Sequence, residues 1–273
     1  MMAVTILLSF FATLKYSKIS VSEAVTFSIQ EILKSTRAAL KNKSFRLFFF
    51  GYLFIAMGWG MGSSLQLYMN TYVWEFESAM ITSFLFVYFI ATFAAFVIVP
   101  ILGNRFEKKT ILLWSIALAG LVHALPVTFY FLGWLPEVGT WDLFFALVPF
   151  VFFANGPLAA SAIVRESMLG DVSDEVQLET SKDQRGLMFA SSSLIGKLNS
   201  GLGIFLSGLA LQAINFPRGS GSIPSAESIT SLALLQGPFV SILLLIPFLI
   251  FSFYSIDKRR HQQILNNLGK TTY

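Results

Sequence analysis

Lys197 is the residue whose chemistry most needs an explanation, because it is the only charge in the apolar run 187–214. That run is long enough to cross a bilayer, and a charged side chain in hydrocarbon costs about 2.5–3.5 kcal/mol on insertion scales. Its neighbours at helical spacing are small or polar: Ala190, Ser193, Ser200 and Gly201. This pattern predicts that Lys197 points into a helical bundle. There it would bind an anionic or hydroxyl-rich ligand or pair with a carboxylate.

Other polar side chains lie at membrane depth and are candidates for the same pathway. Asn155 is followed by Gly156 and Pro157, which suggests either a broken turn that lines a cavity or an ordinary proline kink. His123 is more simply interpreted as a hydrogen-bonded core histidine than as a proton relay. The predicted substrate pathway comprises Lys197, Asn155, Ser193, Ser200 and Gln66.

A second group of candidates lies in the acidic segment RESMLGDVSDEVQLETSKDQRG. Asp171, Asp174 and Glu175 share one helical face by their spacing of three and four residues. They are expected to pair with Arg105 or Lys108 of another polar loop, so that the pairs close one side of the protein in one conformation and release it in another. The predicted cytoplasmic gate comprises Arg105, Asp171, Asp174, Glu175 and Arg185. The alternative is a solvated charged loop.

The composition is that of an integral membrane protein. Of 273 residues, 55% are hydrophobic and 12% are charged, whereas a soluble domain carries about 25% charged residues. Nothing alternates with the period of two that a barrel requires, so an all-α bundle of six transmembrane helices is predicted. The six apolar segments contain no Asp or Glu, and they are Leu47–Met69, Ser78–Leu102, Thr110–Gly133, Leu143–Val164, Leu187–Ile214 and Leu232–Ile256.

The basic residues predict the orientation of these spans. Seventeen of the nineteen Lys and Arg residues lie in segments 15–46, 103–109, 165–186 and 257–273. Loops rich in Lys and Arg face the cytoplasm, so both termini are expected there, in the inner or plasma membrane. The predicted organisation is a connector at 15–46, a six-span unit at 47–256 and a cytoplasmic tail at 257–273.

The N-terminal residues do not form a seventh span. The apolar run Ala3–Leu14 is too short to cross, and it lacks the basic start and cleavage site of a signal peptide. We interpret residues 1–14 as the end of a preceding span whose beginning is missing. Residues 22–41 show helical periodicity, which favours an amphipathic helix on the cytoplasmic membrane surface or a plain helical linker.

Motifs typical of enzymes are absent from the sequence. There is no G-x-S-x-G, H-E-x-x-H or P-loop pattern, and there is no cysteine. We therefore expect neither an enzyme nor a cofactor, a metal site or a nucleic-acid partner. A divalent metal at the acidic segment has no further support.

Three stretches resemble the glycoside–pentoside–hexuronide:cation symporters, the melibiose-carrier-like branch of the major facilitator superfamily. SMLGDVSDEVQLET followed by GLMFA, with Lys197 ten residues after Leu187, resembles the family's region around its tenth and eleventh spans. GNRFEKK and LKNKSFRLFFFGYL are similar to the family's basic loop and to the entry of its seventh span. The sequence departs from the family pattern at Ser181, where Gly is usual, and at Asp183 and Arg185, whose charges are exchanged.

The resemblance covers about residues 22–268 and implies the C-terminal half of a twelve-span, cation-coupled sugar symporter. It assigns Lys197 to the eleventh span, Asp171, Asp174, Glu175 and Thr180 to the loop motif, and Arg105 to the basic loop. It also implies that sodium or a proton is bound mainly by an N-terminal half. This chain alone is then not expected to carry out coupled transport by alternating access.

Two other functions remain open on the sequence alone. A carrier of lipid or another amphiphile in the same superfamily would account for the many phenylalanines, although phenylalanine that faces lipid does so equally well. A six-span membrane assembly protein without transport activity is the other alternative. The buried charge of Lys197 counts against it, because an assembly protein has no use for such a charge.

Overall fold

The structure, a computed structural model, describes residues 37, 39–181, 183–217 and 224–270, without the side chains of residue 187 and residues 198–200. Within these residues all regular structure is helical, which confirms the predicted all-α class. Six of the helical stretches are long and apolar enough to cross a membrane, as predicted. The predicted truncated span at 1–14 and most of the amphipathic segment 22–41 lie outside the described residues.

Eight α-helices follow one another in the described part of the chain. They are α1 Lys43–Tyr68, α2 Ser78–Arg105, α3 Lys108–Phe131, α4 Trp141–Thr180, α5 Arg185–Ala213, α6 Ala226–Leu234, α7 Val240–Ser252 and α8 Lys258–Asn267. Two π-helical segments interrupt this regularity. Met69–Val73 continues α1, and Leu235–Phe239 joins α6 to α7 into one span. Pro238 lies in the second segment, where its missing N–H removes one helical hydrogen bond and favours local π geometry.

The fourth span corrects the prediction most clearly. We expected it to end at Val164 and a loop to follow, but α4 runs unbroken for 40 residues to Thr180. Apolar residues at helical spacing explain the extension, because Met168, Leu169 and Val172 are fully buried in the core. At about 1.5 Å per residue α4 is about 60 Å long, so it projects well beyond the hydrocarbon. The acidic residues therefore lie on a rigid helix.

The order of packing leaves a space at the centre of the bundle. Helix α1 packs against α5 and α7, α7 packs against α3, and α3 packs against α4, which in turn packs against α2. Two apolar cores hold this arrangement. One contains Phe48, Met168 and Phe251, and the other contains Leu65, Leu143 and Leu232. A cavity lies between them. The outer face of α2 carries exposed phenylalanines suited to lipid: Phe86, Phe89, Phe93 and Phe96.

The crossing of α1 and α5 depends on two glycines. A Cβ atom added to Gly203 would lie 2.5 Å from the Cα of Gly60, so the two backbones touch there. Close approach through small residues is the usual way in which membrane helices associate. On the next turn of α5, the Ser207 hydroxyl donates to the Gly203 carbonyl at 2.7 Å and lies 3.3 Å from the Met61 carbonyl of α1.

We predict that Gly203→Ala destabilises the protein and that Gly201→Ala on the same helix does not. The added methyl at Gly203 meets backbone atoms of α1, which cannot move aside as a side chain can, and overpacking costs about 1–3 kcal/mol. Nothing lies within 4 Å of a Cβ at Gly201. Thermal unfolding of both variants in the same detergent measures the difference. Equal melting temperatures would contradict the described crossing.

Candidate functional site

The cavity at the centre of the bundle has a volume of about 890 Å³. A stripe on α4 at spacings of three and four residues lines it from Leu147 to Arg165, a helix length of about 27 Å. Helix α1 and the π-helical segment that continues it line the cavity from Tyr52 to Asn70. The remaining walls come from α2, α3, α5, α7 and the second π-helical segment. The lining is mainly apolar, and polar groups are concentrated in two places.

The first polar group is a hydrogen-bonded network between α1, α3 and the second π-helical segment. The Gln236 amide donates to the Gly62 carbonyl at 3.0 Å and to Gln66 Oε1 at 3.1 Å, and the Gln66 amide donates to Asn70 Oδ1 at 3.0 Å. His123 Nε2 lies 2.9 Å from the Gln236 carbonyl oxygen. Since a carbonyl only accepts, Nε2 must carry the proton.

Both π-helical segments contribute to this network. Asn70 lies in the segment that continues α1, and Gln236 lies in the segment that joins α6 to α7. A π-helical turn shifts the side chains after it relative to a regular α-helix, and such turns are frequent at functional sites. The pairing of these two segments could not be recognised in the sequence, where Gln66 and Gln236 are 170 residues apart.

The second polar group is Arg165 with Tyr52. The Arg165 guanidinium carbon lies 3.8 Å from the centre of the Tyr52 ring, and both residues line the cavity. The prediction placed Arg165 at the start of a cytoplasmic loop. It is buried instead, because α4 continues past it and holds it on the stripe that faces the cavity. The signal in the sequence was its spacing from Asn155, Leu158 and Ala162.

The residues of the predicted substrate pathway occupy different positions. Gln66 and Asn155 line the cavity, and the Asn155 amide donates to the Val151 carbonyl one turn earlier at 2.8 Å. Ser193 and Lys197 are exposed on the outer surface of α5. Ser200 is helical, but its side chain lies outside the described residues.

The exposure of Lys197 corrects the prediction that it points into this six-helix bundle. The face of α5 that packs inward carries Ser192, Ile195, Gly203 and Ser207. Each residue turns the helix by about 100°, so Lys197 lies to one side of that face. Its small neighbours Gly201 and Gly208 are exposed with it. The small-residue packing we expected does occur on α5, but on the face that lacks the lysine.

The acidic residues of α4 form a compact charge cluster at the far end of that helix. Asp171, Asp174 and Glu175 are buried, although their basic partners are partly exposed. Lys108 Nζ lies 2.7 Å from Asp171, and Lys270 Nζ lies 3.0 Å from Asp174. Further partners are Arg185 and His261, which contact Asp174, and Arg260, which contacts Glu175.

This charge cluster differs from the predicted gate in one residue and in one element. Of the two basic residues considered for Asp171, Lys108 makes the contact. Arg105 is exposed and has no ion pair among the described residues. The additional element is α8, whose residues Arg260 and His261, with Lys270 just after it, lie against α4. The prediction placed these residues in the cytoplasmic tail. Their helical spacing and the N-cap Asp257, which accepts from the Arg260 N–H at 2.7 Å, were the available signal.

Comparison with known proteins identifies a family and a relative. The family model described as MFS/sugar transport protein matches residues 1–258. A protein of Synechocystis sp., named as an uncharacterized symporter, is 27% identical over 176 residues, which cover 61% of this chain and 30% of that protein. The matched part of the chain therefore spans less than a third of the length of that relative.

We predict that Asp174→Asn loosens α8 from α4. Asp174 accepts from Arg185, His261 and Lys270, and a hydrogen bond between charged groups contributes about 1.5–3 kcal/mol. Hydrogen–deuterium exchange in residues 258–267 should become faster. Asp142→Asn serves as the matched control, since Asp142 is exposed at the opposite end of α4. Unchanged exchange in Asp174→Asn would show that the cluster does not hold α8.

Proposed function

The chain belongs to the MFS/sugar transport protein family, and on that premise we propose that its cavity binds a sugar-type small molecule as part of a cation-coupled symporter. The six-helix unit then acts as one half of the carrier, with a second six-helix bundle completing the pathway. Both termini and the charge cluster face the cytoplasm in this proposal, as the distribution of basic residues predicts. Alternating access moves the substrate between the two bundles.

The observation that carries the proposal is the cavity of about 890 Å³ inside a bundle of membrane-spanning helices. Buried polar groups in a membrane are costly, so a cavity that carries a network of amides indicates a polar ligand. Gln66, Gln236 and Asn155 supply hydrogen-bonding groups that suit sugar hydroxyls, and Trp59 and Trp74 supply aromatic surface for the apolar face of a sugar ring.

The coupling cation needs groups beyond this unit. A sodium ion or a proton that crosses the bilayer uses oxygen ligands or a titratable carboxylate at depth. Among the described residues that line the cavity there is no Asp or Glu. Lys197 is exposed on α5 together with Gly201 and Gly208, where a second bundle could approach closely and supply the carboxylate. We therefore place Lys197, Ser193 and Ser200 at the contact between the two bundles.

The charge cluster supports a conformational role in the same cycle. It joins α4, the start of α5, the start of α3 and α8 by contacts between charged side chains at one end of the bundle. The contacts that involve Asp171, Asp174, Glu175 and Arg185 would form in one state and break in the other. Arg105 would contact the second bundle, since it is exposed in this unit.

A second candidate substrate is an amphiphile. The lining of the cavity is mainly apolar and extends about 27 Å along α4, which is longer than a monosaccharide needs. A lipid-like molecule would lie along this apolar wall with its polar part at one end.

We predict that Gln66→Leu weakens the binding of neutral methyl hexosides about tenfold. The substitution keeps the volume of the side chain and removes an amide that links Gln236 and Asn70. Isothermal titration calorimetry on the purified chain measures the affinity. Gln262→Leu, on α8 and away from the cavity, is the control. Equal affinities in Gln66→Leu and the wild type would argue against a sugar site at the amide network.

A separate prediction concerns coupling. Because the described lining lacks a carboxylate, liposomes that contain only this chain should not accumulate glycoside when a sodium or proton gradient is imposed. Labelled substrate inside the liposomes is measured before and after the gradient is collapsed. Accumulation that depends on the gradient would refute the need for a second bundle.

A further inference from the structure

We propose that Arg165 forms an anion-binding subsite at the cytoplasmic end of the cavity and that it takes a carboxylate or phosphate group of the transported molecule. This inference rests on the proposed function, because it assumes that the cavity holds a substrate. It adds a charge to that substrate class, and neither the family match nor the sequence assigns Arg165 this role.

The guanidinium of Arg165 is buried without adequate compensation. The residue is 6% exposed, and its Nε has no hydrogen-bond partner. The nearest described carboxylate is Glu166, 3.6 Å from the Arg165 terminal nitrogen, and the Glu166 side chain is 46% exposed to solvent. A guanidinium carries five N–H donors in a planar fork that matches carboxylate and phosphate. The buried Nε–H, which has no partner, leaves part of this capacity unused.

Tyr52 holds the guanidinium in place while leaving its edge available. The 3.8 Å distance from the guanidinium carbon to the ring centre is that of a cation–π contact, which occupies a face of the group. The N–H donors around the edge of the guanidinium are not used by this contact. Gly196 of α5 makes room for this arrangement, because a Cβ there would lie 2.9 Å from the Tyr52 hydroxyl. Tyr52, Arg165 and Gly196 all line the cavity.

The other acidic groups of α4 do not satisfy Arg165, since each has other partners. Asp171 contacts Lys108, Asp174 contacts Arg185 and Lys270, and Glu175 contacts Arg260. Among the described lining residues Arg165 has no carboxylate to pair with inside the cavity. This end of the cavity is therefore positively charged, and a ligand that brings an anion removes the cost of a buried donor without a partner.

The distance between Arg165 and the amide network distinguishes two kinds of anionic ligand. From Tyr52 to Gln66 on α1 there are fourteen residues, or about 21 Å of helix, so the anion subsite is far from the amide network. A small acidic sugar reaches one group at a time. A long amphiphile with an acidic headgroup reaches both at once.

Matched ligand pairs test the proposal on the full chain in detergent. The first pair is methyl glucuronide and methyl glucoside, and the second is lysophosphatidic acid and monoacylglycerol. In the wild type, the acidic member of at least one pair should bind about 10- to 100-fold tighter than its neutral partner. Arg165→Gln should abolish this preference, and Arg165→Lys should keep part of it. Arg259→Gln, which removes an exposed arginine from α8, should leave the preference unchanged.

The variant Gln66→Leu shows whether the anionic group belongs to a small acid or to a long amphiphile. A long ligand loses affinity in both Gln66→Leu and Arg165→Gln, whereas a small acid bound at Arg165 loses affinity only in Arg165→Gln. The melting temperature of Arg165→Gln should equal or exceed that of the wild type, because the substitution removes a buried charge whose ion pair, with Glu166, is half exposed to solvent. A lower melting temperature with an unchanged preference for the acid would show that Arg165 is merely structural.

Two results would overturn the subsite. One is the absence of any preference for the acidic member in the wild type, and the other is the same preference in Arg165→Gln. Neutral glycosides that bind through Gln66 without gain from an acidic group would leave the proposed sugar site standing and remove the anion subsite. A preference that depends on Arg165, without binding of any neutral glycoside, would keep the subsite and remove the neutral sugar as substrate.

Discussion

Hydrocarbon cannot hydrogen-bond, so every polar group inside the bilayer must find its partner within the protein. This constraint organises the whole bundle. Backbone groups are satisfied by eight helices and two π-helical segments in the described part of the chain. The few polar side chains at depth are gathered where helices face each other. The Gln236 amide donates to Gln66 across the bundle, and His123 donates to a backbone carbonyl of the π-helical segment.

The same constraint makes buried polar groups without a hydrogen-bond partner informative. Gln236 Oε1 and Arg165 Nε are buried and have no hydrogen-bond partner, and both residues line the cavity. In a soluble protein, water would supply the missing hydrogen bond. In the proposed binding site, these two groups would meet partners in a bound ligand. The apolar length between them explains why an amphiphile remains a candidate beside a sugar.

At the end of the bundle that carries the charge cluster, the basic side chains are partly exposed, so water can solvate them. The extension of α4 carries carboxylates that are buried by protein and offset by partly exposed basic groups. Contacts of this kind are individually weak when they are solvated, but here several of them share three acids. They connect α3, α4, α5 and α8, so a movement of any one of these helices must break several contacts together. Such a cluster suits a two-state carrier better than an isolated ion pair does.

Much of this protein follows from the sequence alone. The apolar runs set the number and class of the membrane helices, because their length is dictated by the thickness of the bilayer. The acidic face of Asp171, Asp174 and Glu175 followed from helical spacing. Gln66 and Asn155 were recognised as candidates because amides are costly in hydrocarbon. Each of these inferences depends on residues that are neighbours along one helix.

Tertiary structure decided what depends on helix rotation and on partners far apart in the chain. Lys197 was expected inside the bundle, but the contact of Gly203 with Gly60 sets the rotation of α5 and leaves the lysine exposed. Lys108 rather than Arg105 contacts Asp171, because only the packed helices determine which base lies within reach. Arg165 became part of the cavity because buried apolar residues beyond it keep α4 helical. A sequence specifies the faces of each helix, but only the packing of all the helices decides what each face meets.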